Sequence, residues 1–128
     1  MNKAQALYSF WAGFGIPAID EQSSYDEDTM KQLGIDFPYI TYESGIGDFD
    51  EPVLLGADLY YRSDSWEQIE EKAAQIAHVI GYGGKIVHYD GGAIWIKRGN
   101  PPYQRMGAEN VFNIRRIHIN INAEFLSA

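Results

Sequence analysis

His78, His88 and His118 are the side chains whose type best suits metal or proton chemistry. Three imidazoles could hold a zinc ion and leave a position open for water. Their spacing argues against it. No two of them fall four apart on one helix or two apart on one strand, the separations that put ligands on a common face. Asp26-Glu27-Asp28 offers hard oxygen ligands but lacks the spaced donors and closing glutamate of a calcium loop, so solvated acid is the simpler reading. Gly81-Tyr82-Gly83-Gly84 has the glycine density of a phosphate cradle. It follows a helical pattern and precedes a strand, the reverse of a phosphate loop, and reads as a helix stop and turn. No serine sits in a nucleophile elbow, and there is no cysteine to act as nucleophile or thiolate ligand. The expectation is a protein without catalytic residues, metal or cofactor.

The elements that would position any site follow from hydrophobic periodicity. Ala4, Leu7, Trp11 and Phe14 recur at helical spacing, widened by Tyr8 and Phe10, and predict a helix over Lys3–Phe14. Asp20 to Asp36 is polar and aperiodic and reads as a long loop. Tyr39–Glu43 and Pro52–Arg62 read as a hairpin with its tip around Gly45–Asp50. In the second of these strands Val53, Leu55, Ala57, Leu59 and Tyr61 share one face, and Leu54, Gly56, Asp58, Tyr60 and Arg62 the other. A second helix starts near Asp64, where Asp64-Ser65-Trp66-Glu67 has the form of a capping box, with Ser63 and Ser65 as alternative caps. Its stripe is Trp66, Ile69, Ala73, Ile76 and Ile80. Lys85–Tyr89 and Ala93–Arg98 flank the tight turn Asp90-Gly91-Gly92, and Asn100–Glu109 reads as a second long loop. Trp11, Trp66 and Trp95 are assigned to core packing, and the loop aromatics Phe49 and Tyr103 to an interface.

The closing strand is the clearest pattern. Ile117, Ile119, Ile121, Ala123 and Phe125 alternate with His118, Asn120, Asn122 and Glu124. That is one buried face and one wet, amide-rich face. Phe112 and Ile114 have the opposite parity, so either a bulge at Arg115-Arg116 or a strand start at Ile117 is expected. The predicted architecture is a single α+β domain over residues 1–128, ordered αββαβββ, with an antiparallel sheet and two helices on one face.

Composition narrows the function classes. At 45% hydrophobic and 14% aromatic residues, 128 residues can bury a core. No secretory signal or membrane span is expected. The net charge of −8 disfavours a nucleic-acid binder. It is also uneven: ten acidic residues lie between Asp20 and Glu51 against Lys31 alone, whereas Lys85–Arg116 holds six basic residues against Asp90 and Glu109. Such separation fits either head-to-tail subunit contacts or ordinary solvated loops.

Five segments carry a resemblance: SFWAGFGIPAID at 9–20, PYITYE at 38–43, YRSDSW at 61–66, DGGAIWIKRG at 90–99 and RRIHININAEFL at 115–126. Together with the element order, they make the chain look like the tail terminator, or tail completion, proteins of long-tailed phages and prophages of Gram-positive bacteria. The resemblance implies a homo-hexameric ring in the virion neck that caps the tail tube, ends tube growth and joins the tail to the head connector. It implies contacts with the tail tube protein and the connector protein, assembly in the host cytoplasm, and DNA passing through without specific binding. A head-completion or connector protein of the neck is the nearest alternative. An acidic module mimicking DNA is a further one, disfavoured because the carboxylates cluster in loops. Candidate interface residues are Asp48, Phe49, Asp50, Tyr103, Arg105, Arg115, Arg116, Asn120, Asn122 and Glu124.

Overall fold

The structure, a computed structural model, describes residues 1–23, 26–45, 51–107 and 113–127. Helices α1 (Lys3–Ala12), α2 (Glu27–Gln32) and α3 (Glu67–Ile80) accompany strands β1 (Ala18–Asp20), β2 (Tyr39–Tyr42), β3 (Val53–Arg62), β4 (Lys85–Tyr89), β5 (Gly92–Arg105) and β6 (Ile114–Ser127). The strands form one six-stranded sheet in the order β1-β2-β3-β6-β5-β4. This is the expected α+β class. The sheet is mixed rather than wholly antiparallel, because β1 pairs parallel with β2.

The last strand lies in mid-sheet, between β3 and β5. Its odd residues Ile117, Ile119, Ile121, Ala123 and Phe125 are all buried, as the alternation predicts. They share one core with Leu55, Ala57 and Leu59 of β3, Ile94 and Ile96 of β5, and Ile40 and Tyr42 of β2. Leu7, Phe10 and Trp11 of α1 and Ile69, Ala73, Ile76 and Ile80 of α3 complete it, so both long helices serve the same sheet face. The stripe of α1 is rotated from the predicted one: Ala6 is buried, whereas Ala4 and Tyr8 are exposed. Ala6 precedes Leu7 on the turn that meets the sheet, and it fits there because it is small.

Several local expectations are overturned. The stretch expected as a loop from Asp20 to Asp36 contains β1's end, a 3₁₀ turn and α2. Asp26 starts α2 by accepting from the Thr29 amide at 2.7 Å, and its hydrogen bonds with Thr29 hold its carboxyl below the usual carboxylate range. The capping box occurs at α1, not α3. Asn2 Oδ1 accepts from the Gln5 amide at 2.8 Å, and Gln5 Oε1 accepts from the Asn2 amide at 2.9 Å. At α3 the helix begins at Glu67, whose amide is satisfied by Ser65 Oγ at 3.0 Å; Ser65's own amide donates to Ser63 Oγ. Two serine turns therefore replace the aspartate cap.

The irregularity expected at Arg115-Arg116 is elsewhere. β6 pairs with β3 without interruption from Val53↔Ala123 to Arg62↔Ile114, so neither a bulge nor a start at Ile117 occurs. Ile114 lies on the wet face and is half-buried beside Tyr60 and Met106. An apolar residue on the polar side imitates a change of parity. Phe112 lies outside the described residues. The break is on β5, where Arg98↔Ile121 is followed by Tyr103↔Ile119. Residues 99–102 of β5 thus oppose Asn120 alone. The segment expected as a loop from Asn100 onward is this bulge plus strand as far as Arg105. No helix among the described residues is long and apolar enough to cross a membrane.

Tyr42 gives the fold an alkaline weakness. Burial, then the Asp20 carboxylate and Tyr8, push its phenol up to about 12. Unfolded, it would titrate near ~10. The folded state holds the proton more tightly, so this contribution is present below the unfolded value and is lost as pH rises through the folded one. Stability should therefore fall between about pH 10 and 12, and Tyr42→Phe should flatten that fall with little change at neutral pH. Urea unfolding across this range checks it; parallel declines in the two proteins would sink the idea.

Candidate interface on the open sheet face

One sheet face carries the helices; the other carries the even residues of β6 and β3. Strand register arranges them in rows. Thr41 pairs with Asp58, Asp58 with His118 and His118 with Gln104 across four strands. One row on, Tyr39 pairs with Tyr60 and Tyr60 with Arg116, and the two tyrosine rings stack with centroids 5.0 Å apart. In the other direction Leu54 pairs with Asn122, and Asn122 with Lys97; Glu124 pairs with Trp95, and Trp95 with Ile86.

The polar groups on this face are fastened to one another. Asp58 Oδ1 accepts from Arg116 Nε at 3.0 Å and lies 2.9 Å from His118 Nδ1. Lys97 Nζ donates to Glu124 Oε1 at 2.7 Å and stands 4.1 Å from the centre of the Trp95 ring. Trp95 Nε1 donates to the Gly83 carbonyl, and Asn120 Nδ2 to the Pro101 carbonyl. Gly56 makes the His118 position possible: a Cβ there would stand 2.6 Å from His118 Cε1 and 3.2 Å from Glu43 Oε1. The imidazole therefore lies over Gly56 of β3, beside the Asp58 carboxylate. Side chains held this way lose little freedom on contact, which is what a docking surface requires. Leu54 projects from the same face at 75% exposure and Ile86 at 54%.

The predicted interface residues divide. Arg116, Asn120, Asn122 and Glu124 lie on this open face. Arg105 and Arg115 do not. Arg115 shares the odd parity of Ile117, and both guanidiniums flank Trp66 at the start of α3, 4.6 and 5.3 Å from its ring centre. Arg105 Nε binds Glu70, and Arg115 Nη2 donates to the Asp64 carbonyl at 3.0 Å. They clamp the helix to the sheet. Tyr103 is not in a loop: it pairs with Ile119 and packs half-buried against the core. Asp48, Phe49 and Asp50 lie outside the described residues.

The tryptophans also divide. Trp11 is fully buried, as expected. Trp66 packs partly buried against the core between its two arginines. Trp95 lies on the open face rather than in the core, because Ile94 and Ile96 take the buried parity of β5. His78 is exposed on α3. His88 is linked through Ala93 to Leu126, which lies eight residues from His118 along β6, or about 26 Å. Among the described residues no group of three histidine, aspartate or glutamate side chains converges as a metal site.

The sequence reading put Asp58, Gly56 and Leu54 on one face of β3 but named neither them nor Lys97 among the interface candidates. The alternation of β3 places the first three together, but only the register of β3 on β6 sets Asp58 beside His118. No family model and no curated protein matches this chain.

Proposed function

We propose that the chain is a structural subunit of a phage tail neck. It assembles into a ring, six subunits by resemblance, that caps the tail tube, ends its growth and meets the head connector. The observation that carries this reading is the open sheet face: a broad surface whose polar groups are already fixed in place and from which Leu54 protrudes. The family-like segments at 115–126 and 90–99 form two of its central strands, β6 and β5. The net charge of −8 suits a ring through which DNA slides, since phosphate is repelled rather than held. The role is one of assembly, not catalysis.

The test is to incubate the purified chain with polymerising tail tube protein. Rings on tube ends and shortened tubes are expected by electron microscopy. Tubes of unaltered length with the chain left monomeric in their presence would defeat the proposal. Binding to connector rings alone would shift the chain to the head side of the neck.

A further inference from the structure

β4 is an outer strand of the sheet, and we propose that its free edge takes up a short extended segment of a partner protein. The segment is apolar at alternate residues, with carboxylates flanking them, and its apolar side chains enter the groove beside β4. The contact uses a strand edge rather than the open face, so it does not rest on the ring reading above.

The backbone defines the edge. Asp90 and Gly91 form a two-residue turn, so Tyr89 and Gly92 close the β4–β5 hairpin as a hydrogen-bonded pair. Alternation gives Lys85 and Val87 the same role and turns the N–H and C=O of Ile86 and His88 away from β5. Asp90 shares their parity, and its amide donates to the Met1 carbonyl at 2.7 Å rather than to β5. Among the described residues nothing bonds the outward groups of Ile86 and His88. β4 contains no proline and pairs with β5 without a bulge, two of the devices that usually blunt an edge. Donor and acceptor repeating at every second residue fit an extended peptide backbone.

Beside this edge lies a groove of about 460 Å³ between β4, the end of α1 and the last turns of α3. Phe10 and Phe14 line it with their rings edge to face, centroids 5.4 Å apart, and Val79 and Val87 extend its apolar wall. A strand paired with β4 turns every second side chain to the helix side of the sheet, into this groove. Lys85 and His88 also line it, and no carboxylate does, although the chain's net charge is −8. Neither has an ion-pair partner among the described residues. An acidic segment is therefore favoured over a basic one. A second copy's β4 would set Lys85 and His88 against their own kind and is the poorer occupant. Met1, bonded to Asp90, closes one end of the edge, so the paired stretch is no longer than the five residues of β4.

The probe is the capped peptide Glu-Val-Glu-Val-Glu, titrated into isotope-labelled protein. At saturation the amides of Ile86 and His88 should shift and exchange with solvent at least tenfold more slowly, and Val87, already bonded to β5, should change least. Ile86→Pro removes an outward donor and no ladder bond, at an edge position where proline is tolerated. Circular dichroism and thermal melting check that it folds, and it should bind the peptide at least tenfold more weakly. Two methylated peptides test the pairing without altering the protein: one N-methylated at both valines, the other at the central glutamate. A strand lends only alternate amides to its neighbour, so one of the two should lose binding. Loss at the glutamate means antiparallel pairing, and loss at the valines parallel. Binding undiminished in both overturns strand pairing, as do shifts without slowed exchange at Ile86 and His88. A Lys-Val-Lys-Val-Lys peptide that binds equally well overturns the acidic assignment. Exchange at Ile86 and His88 that slows with protein concentration alone gives the edge to a second copy and overturns the partner. Signals unmoved at millimolar peptide overturn the site. Each of these failures leaves the tail tube assay, and the ring reading it tests, untouched.

Discussion

Phe125→Ala is expected to lower the unfolding free energy by about 3–5 kcal/mol. Phe125 is 2% exposed and among the largest fully buried side chains of the chain. It stands opposite Ile94 on β5 and belongs to the core that α1 and α3 cover. Truncation removes the whole ring, and a strand held to β5 on one side and covered by the core cannot fully close over the void, so transfer and cavity costs add. Domains of this kind have about 5–15 kcal/mol in total, so the loss would be a large share. Leu126→Ala is the control. Its side chain is half-buried on the open face, away from the core, and it should cost a fraction as much. Urea unfolding measures both. A loss below about 1 kcal/mol for Phe125→Ala would mean that the end of β6 is not part of the cooperative core.

What could be read from the chain, and what could not, follows from the range of the interactions. Alternation within β3 and β6 depends only on neighbours two residues away, and both faces of each strand are legible from it. Arg115 illustrates a signal that was present but outweighed. Its odd parity places it with Ile117 on the helix face, yet its charge made it look like surface. The actual arrangement has the guanidinium over Trp66, where the ring receives the cation without excluding the helix. Strand pairing is different. Asp58 and His118 are sixty residues apart, and only the mid-sheet insertion of β6 beside β3 brings them within 2.9 Å. Nothing local encodes that. The 100–105 stretch failed for a third reason. Pro101 and Pro102 lack amide donors and argue against a paired strand, as they should. The fold accepts them by opposing residues 99–102 to a single partner residue, so the prolines fall where no ladder bond is needed.

That bulge carries the second large effect. Gly99→Ala is expected to cost about 3 kcal/mol. A Cβ at Gly99 would stand 2.5 Å from Asn120 Cβ, 2.8 Å from the Asn120 carbonyl oxygen and 2.9 Å from its carbonyl carbon. Two of these three atoms are backbone of the central strand β6, which is held by β3 on its other side and cannot retreat without breaking that register. β5 would have to move instead, and the bond from Asn120 Nδ2 to the Pro101 carbonyl, 3.0 Å long, would go with it. Losing that bond alone, as in Asn120→Ala, should cost about 1 kcal/mol, which separates the two causes. Adding Asn120→Gly to Gly99→Ala removes the nearest atom but leaves the two backbone contacts, so it should recover only part of the loss. Full recovery would place the obstacle in the Asn120 side chain and show that β5 and β6 have room to part. Partial recovery, with hydrogen exchange quickened in β5 and unchanged in β3, is the expected pattern. It would mean that close backbone approach at Gly99 fixes the relief of the open face, and with it the spacing between Asn120 and the neighbouring pair Lys97–Glu124 on which any partner must fit.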